Sequence, residues 1–291
     1  MKYIPIFQIS IYPETKYAHL IPPVLKIMQE TKIHPTAIVD SKAKIATNVE
    51  IGPYSIIGPE VTVKESSLIK SNVVIMGSTV IGKQNVIYPF AVIGNPPQDL
   101  KFKGEKSDLI IGNNNTFREY VTINPGTEGG GGITKIGNSC LFMVSSHVAH
   151  DCKIGNNVVI ANNVPLGGHV TIEDNVVIGG NSAVQQFTRI GKLAMIGGMT
   201  GVLHDVIPYG LSIGNRNYLQ GLNLIGLRRA NFDNKDILGL IEAYKEIFAT
   251  KNLADNLSKL NGVFKENPLV KDVIEFITKD KKRSICTPFM E

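Results

Sequence analysis

Cysteine is scarce in this chain. There are three, at positions 140, 152 and 286, and none form a CxxC pair. An odd, unpaired set excludes a disulfide framework and fits a reducing compartment. No run of eighteen apolar residues occurs, so no transmembrane helix is expected. The N-terminal stretch is broken by Pro5, Gln8, Pro13 and Glu14. It therefore lacks the apolar core of a signal peptide, and a cytoplasmic protein is expected. Charge is sparse as well: Asp, Glu, Lys and Arg make up 19% of 291 residues, and the net charge is +5. Basic residues are scattered, apart from Arg228-Arg229 and Lys281 to Arg283. That balance argues against a nucleic-acid partner and is compatible with an acidic partner or a phosphorylated ligand.

What the chain has is a period of six. Every sixth residue is apolar from Ile33 to Ile93, again at Ile111, Phe117 and Ile123, and again from Ile136 to Val202. A helix repeats near 3.6 and a plain strand at 2, and neither gives this spacing. Six-residue repeats mark a parallel β-helix, in which three short strands make one turn of a triangular prism. Each residue then stacks on the one eighteen later, about 4.8 Å away. The apolar sixth residues point inward. Glycine often follows them (Gly52, Gly58, Gly82, Gly94), where a corner is expected to need a residue without Cβ.

The pattern sets the domain boundaries. Residues 1–32 lie outside the repeat as an N-terminal extension, with a short helical turn expected over Leu25 to Gln29. The β-helix covers 33–214, with loops at 95–108 and 124–135. Asp99 and Glu105 fall on sixth positions of the first loop and cannot enter an apolar core. The second loop carries four consecutive glycines. Long excursions from rigid scaffolds are usually functional. Residues 215–291 change to helical period and form a small α-helical C-terminal domain. One of its stripes runs from Ile237 to Phe248, with Asp233 as N-cap. Such a domain closes the exposed end of a solenoid.

The chemistry concentrates near the middle of the repeat. Val148 points inward, so His150 faces outward; one turn later His150 meets Gly168 and Asp151 meets His169. With His147, these residues form one patch. Two chemistries suit it. In one, His150 is a general base whose tautomer is fixed by Asp151, and the Gly168 N–H stabilises an oxyanion. That is acyl transfer to a hydroxyl. In the other, His147, His150 and His169 ligate zinc and leave one position open for water.

Several segments together carry a resemblance. They are the hexads, the loop Gln98-Asp99-Leu100-Lys101 with Gly104-Glu105, the run His147-Val148-Ala149-His150-Asp151-Cys152, and Gly221-Leu222-Asn223 through Arg228-Arg229. In that order, over about residues 33–285, the chain resembles the UDP-N-acetylglucosamine acyltransferases, which perform the first step of lipid A synthesis. The hexads alone are shared with sugar acetyltransferases, a related N-acyltransferase and the γ-class carbonic anhydrases. The resemblance implies a left-handed β-helix, a homotrimer with active sites between subunits, and no metal or redox cofactor. It implies His150 as general base, Asp151 as its orienting carboxylate and Gly168 as oxyanion donor. The acyl donor would be a 3-hydroxyacyl thioester on acyl carrier protein, and the acceptor the 3-hydroxyl of UDP-N-acetylglucosamine. Gln98, Asp99, Lys101, His147, His169 and Gln186 would contact substrate. Asn223 and Arg229 would bind the nucleotide diphosphate, and Gly198 would set acyl-chain depth. The chain departs from the family pattern at Gln185, where histidine is usual, and at Ala230, where a second arginine is common.

Overall fold

The structure is a computed structural model describing residues 30–279 and 282–289. The expected N-terminal turn over Leu25 to Gln29 lies outside the described residues. From Lys32–Ile33 to Gly201–Val202 the chain winds through strands that are mostly two residues long, laid on three faces. Each strand pairs in parallel with the strand one turn later. Lys32 pairs with Glu50 and Ile33 with Ile51, and the same register of eighteen recurs from Lys153↔Thr171 to Val184↔Val202. The three faces are sheets of eleven, nine and eight strands. The architecture is a left-handed parallel β-helix with a short helical region at its C-terminal end.

The apolar period is the cause of this shape. A two-residue strand contributes few hydrogen bonds, so a turn is held mainly by what it buries. Ile57, Ile75, Ile93, Ile123, Val148 and Leu166 form one inward ladder and are each at most 1% exposed. Burying each such side chain stabilises the prism by about 1.5–3 kcal/mol. Phe117 and Phe142 fill the axis between neighbouring turns, stacked with ring centroids 4.9 Å apart.

Corners work differently from the expectation drawn from glycine. The left-handed corner residue stands three after the inward position and is mostly not glycine. Asn48, Tyr54, Ser66, Asn72, Asn157 and Asn163 all have φ between 55° and 60°. Asparagine is common there because its short polar side chain tolerates this region best after glycine. Gly52 and Gly82 serve close approach between turns. A Cβ on Gly82 would stand 2.3 Å from the Gly112 carbonyl oxygen, and one on Gly52 would stand 2.8 Å from the Lys70 carbonyl carbon.

Two turns are longer than the rest. Val92 pairs with Thr122, thirty residues on, and Thr122 with His147, twenty-five on. Both insertions leave the prism after the face carrying Val92–Ile93 and Thr122–Ile123, and return on the face carrying Asp108–Ile111 and Ile133–Ile136. These two returning strands begin within the stretches that the hexad pattern gives to loops, because Leu109 and Thr134 also point inward and are fully buried. The two excursions are therefore thrown off one edge of the prism.

The far end is closed by the strands Gly210–Ile213 and Tyr218–Leu222 and by five helices: α1 (Leu224–Arg229), α2 (Asn234–Ile247), α3 (Leu253–Lys259), α4 (Gly262–Lys265) and α5 (Pro268–Lys279). Asp233 caps α2 by accepting from the Lys235 N–H. α5 buries Leu269, Val270, Val273, Phe276 and Ile277. It is fastened to the prism by Arg189, whose guanidinium pairs with buried Asp205 at 2.7 Å, lies 4.3 Å over the Phe276 ring and donates to the Phe276 carbonyl.

Candidate active site

The edge that throws off both excursions also carries the histidines. The strand His147–Val148 buries Val148 and leaves His147 half-buried, with Nδ1 2.7 Å from the Thr122 hydroxyl one turn below. Burial, and secondarily the neighbouring His150, hold the His147 imidazole below its usual value of 6.5. The chain then turns the corner at Asp151, with φ of 61°. His169, one turn on, and Phe187, two turns on, take the same corner conformation, with φ of 61° and 65°. Three corner side chains thus stack in a column.

His150 and Asp151 form the centre. His150 Nδ1 is 2.8 Å from Asp151 Oδ2. A carboxylate accepts only, so Nδ1 carries the hydrogen and Nε2 is left with its lone pair. Asp151 is 4% exposed and takes further donors from Thr127: the N–H to Oδ1 at 2.9 Å and the hydroxyl to Oδ2 at 2.6 Å. Its own N–H donates to the Thr134 hydroxyl at 2.8 Å. Nε2 faces Asp99 of the first excursion, 3.9 Å from its Oδ2. Gly168 backs the imidazole: a Cβ there would lie 2.5 Å from Cε1 and 2.6 Å from Nε2 of His150. Among the described residues the Gly168 N–H meets no acceptor. A base with a free lone pair therefore stands beside an unused N–H.

His169 lies edge-on to His150, centroids 5.0 Å apart, and flat on Phe187 at 4.3 Å. Burial is the main cause holding the His169 imidazole below 6.5; Asp151 opposes it, and Lys282 adds to it. Lys282 and Arg283 reach this edge. The Lys282 ammonium is 5.7 Å over the Phe187 ring, and Arg283 donates to the Gln186 carbonyl at 3.0 and 3.2 Å. Cys152 follows Asp151 in sequence but points inward. Burial pushes its thiol up to about 12, so it stays protonated and is no nucleophile.

Of the residues singled out in the sequence, the structure gathers His150, Asp151, Gly168, His169 and Asp99 tightly. His147, Gln186 and the exposed Gln98 and Lys101 lie along the same edge. Gly198 lies on another edge, in the corner between Met195–Ile196 and Gly201–Val202. Asn223 sits at the C-terminal end, where its side chain caps α1 through the Gly226 N–H and donates to the Leu193 carbonyl. Arg229 is exposed at the last turn of α1. Gln185 is exposed on the edge that carries His150, and Ala230 ends α1. The only His, Cys, Asp and Glu group among the described residues with donor atoms close enough to share a metal is His150, Asp151 and His169, within 4.8 Å. It does not include His147, so the three-histidine zinc set is not assembled. The sequence did not point to Thr127, Thr134, Gly130 or Phe187. Phe187 could have been found, since it stands eighteen after His169; Thr127 could not, because the inserted residues follow no period.

Residues 133–168 match the family model for the bacterial transferase hexapeptide (six repeats). Residues 205–286 match the model for domain 2 of UDP-N-acetylglucosamine O-acyltransferase. A Rickettsia canadensis protein named acyl-[acyl-carrier-protein]–UDP-N-acetylglucosamine O-acyltransferase is 51% identical over 260 residues, covering 89% of this chain and 98% of that protein. The chain belongs to the UDP-N-acetylglucosamine O-acyltransferase family. A Bartonella henselae protein of the same name is 44% identical, over 91% of this chain and 97% of its own length. A crystal structure of UDP-N-acetylglucosamine acyltransferase superposes with a TM-score of 0.85 at 42% identity, covering 89% of this chain and all of that one. The Francisella novicida acyltransferase gives 0.84 at 35% identity, over 88% of this chain and 94% of that one.

Proposed function

We propose that this acyltransferase moves a 3-hydroxyacyl group from acyl carrier protein to the 3-hydroxyl of UDP-N-acetylglucosamine, the first step of lipid A biosynthesis. His150 Nε2 takes the proton of the sugar hydroxyl as its oxygen attacks the thioester carbonyl. The carbonyl oxygen becomes an oxyanion and accepts the Gly168 N–H. As the intermediate collapses, the carbon–sulfur bond breaks and the sulfur of the carrier takes the proton back from Nε2. Asp151 keeps the His150 hydrogen on Nδ1 and stabilises the transient imidazolium. Base, oxyanion donor and activated thioester suffice, and no cofactor is invoked. The observation that carries this reading is the 2.8 Å contact of His150 Nδ1 with Asp151 Oδ2, beside the Gly168 N–H, which has no acceptor among the described residues.

The active unit is a homotrimer in this reading. Gly198, Asn223 and Arg229 lie away from the edge that bears His150, and this supports a site shared between neighbouring copies. Asn223 and Arg229 hold the diphosphate, with the guanidinium suited to its oxygens. Gly198 sets the depth of the acyl chain. Gln98, Asp99, Lys101, His147, His169 and Gln186 contact the substrates. No helix among the described residues is long and apolar enough to cross a membrane. In this reading the reaction takes place in the cytoplasm.

The test is an assay of the purified chain with 3-hydroxyacyl carrier protein and UDP-N-acetylglucosamine, run beside the 3-amino acceptor analogue. The ester product is expected with the first acceptor, and its loss by about a thousandfold in His150→Ala, typical of a removed general base. Acylation of the amino sugar alone moves the chain to the N-acyl reaction. Activity in His150→Ala within about tenfold of the parent removes the base assignment.

A further inference from the structure

The excursion after Ile123 does more than connect two strands. It folds back over the carboxylate of Asp151. Thr127 spans both oxygens of that carboxylate, its N–H on Oδ1 and its hydroxyl on Oδ2. Gly130 presses on it from outside: a Cβ there would stand 2.0 Å from Asp151 Cγ and 2.1 Å from Oδ2. The Gly130 and Gly132 N–H groups both return to the Thr127 carbonyl, at 3.0 and 2.8 Å, and make the excursion a tight knot around Thr127. The knot is tied to the other excursion as well, since the Glu128 N–H reaches Glu105 Oε1 at 3.3 Å. Asp99, which faces His150 Nε2, lies on that other excursion.

We propose that Thr127, backed by Gly130, is a positioning residue for the His150–Asp151 pair. A carboxylate held by one partner swings about its Cβ–Cγ bond. One held through both oxygens by a single residue is fixed in plane, and here that plane sets the direction of the His150 ring. Threonine supplies two donors with the right spread, and the absence of a Cβ at 130 lets the backbone close on the carboxylate. Partners of this kind are commonly worth 10–100-fold in activity, because a small error in the direction of a base is multiplied in the transition state. The inference rests on the reading of His150 as the base.

The test uses the full chain and steady-state kinetics. Thr127→Val keeps the N–H and the shape of the side chain and removes only the hydroxyl. It is expected to lower kcat by about tenfold or more, with KM for both substrates within about twofold. Thr127→Ser restores kcat to within about threefold of the parent, because the hydroxyl returns without the methyl. Gly130→Ala lowers kcat as Thr127→Val does. In an Asp151→Asn background, Thr127→Val adds less than about twofold, since it acts through that carboxylate. A Thr127→Val enzyme with parental kcat overturns the proposal. So does a serine variant as slow as the valine one, which would assign the loss to methyl packing, or full additivity with Asp151→Asn. The two readings fail differently. If the base assignment is wrong, His150→Ala stays active; if only the positioning role is wrong, His150→Ala is dead and Thr127→Val is not.

Discussion

A methyl group on Gly168 would overlap the His150 ring, at 2.5 Å from Cε1 and 2.6 Å from Nε2. The same Gly168 carries the N–H assigned to the oxyanion, so one position both admits the base and faces the carbonyl. Gly168→Ala is therefore expected to push the imidazole outward and to separate the two groups. Its kcat should fall by about a hundredfold, in the range of a lost oxyanion donor. φ at 168 is not in the left-handed region, so backbone strain should not unfold the variant. Kinetics beside a melting curve check this. A variant with normal turnover would separate Gly168 from the chemistry.

The half-buried histidines give a signed pH dependence. Burial lowers the His147 imidazole below 6.5, and burial is also the largest cause of the lowered His169. The unfolded chain regains the ordinary value. Between the lowered value and about 6.5 the unfolded state binds more protons, so stability rises with pH there. The contribution is whole above about 6.5 and is lost as pH falls toward the folded-state value. Carboxylates whose values hydrogen bonds lower against burial, such as Glu119 beside the Arg118 guanidinium, act below 4.5 and leave this window to the histidines. Melting temperature should drop between pH 7 and pH 5, and His147→Gln should flatten the slope. An unchanged slope would assign the acid sensitivity elsewhere.

The prism was legible because its cause is periodic. Each of Ile57, Ile75 and Ile93 repeats the same demand for burial, and eighteen-residue stacking follows from it, so His150 could be placed beside Gly168 by counting. The corners were misread, because glycine is conspicuous in the sequence while the left-handed residue is usually Asn48 or its equivalents. Thr127 was invisible for a related reason. Its partner Asp151 is twenty-four residues away, and the path between them crosses an insertion that obeys no repeat. Asn223, the cap of α1, and Arg229, in its last turn, stand at the C-terminal end, outside the hexad ladder, so counting by eighteen does not bring them to His150.

The cluster of His150, Asp151 and His169 is the same group whether read as a base with its supports or as ligands within 4.8 Å of one another. The two readings separate under zinc. A ligand histidine must give its lone pair to the metal, and that is the pair the base needs for the sugar proton. His169 is held below 6.5 mainly by burial, so it is ready to ligate near neutral pH. Added zinc should therefore inhibit, and chelator should lift the inhibition. Chelator alone should leave the untreated enzyme at full rate. His169→Gln, compared with its own metal-free rate, should need about tenfold more zinc for the same inhibition, because one of three ligands is gone. If chelator instead abolishes turnover and zinc restores it, the metal is part of the catalyst, and the lone pair of His150 is not free to act as the base.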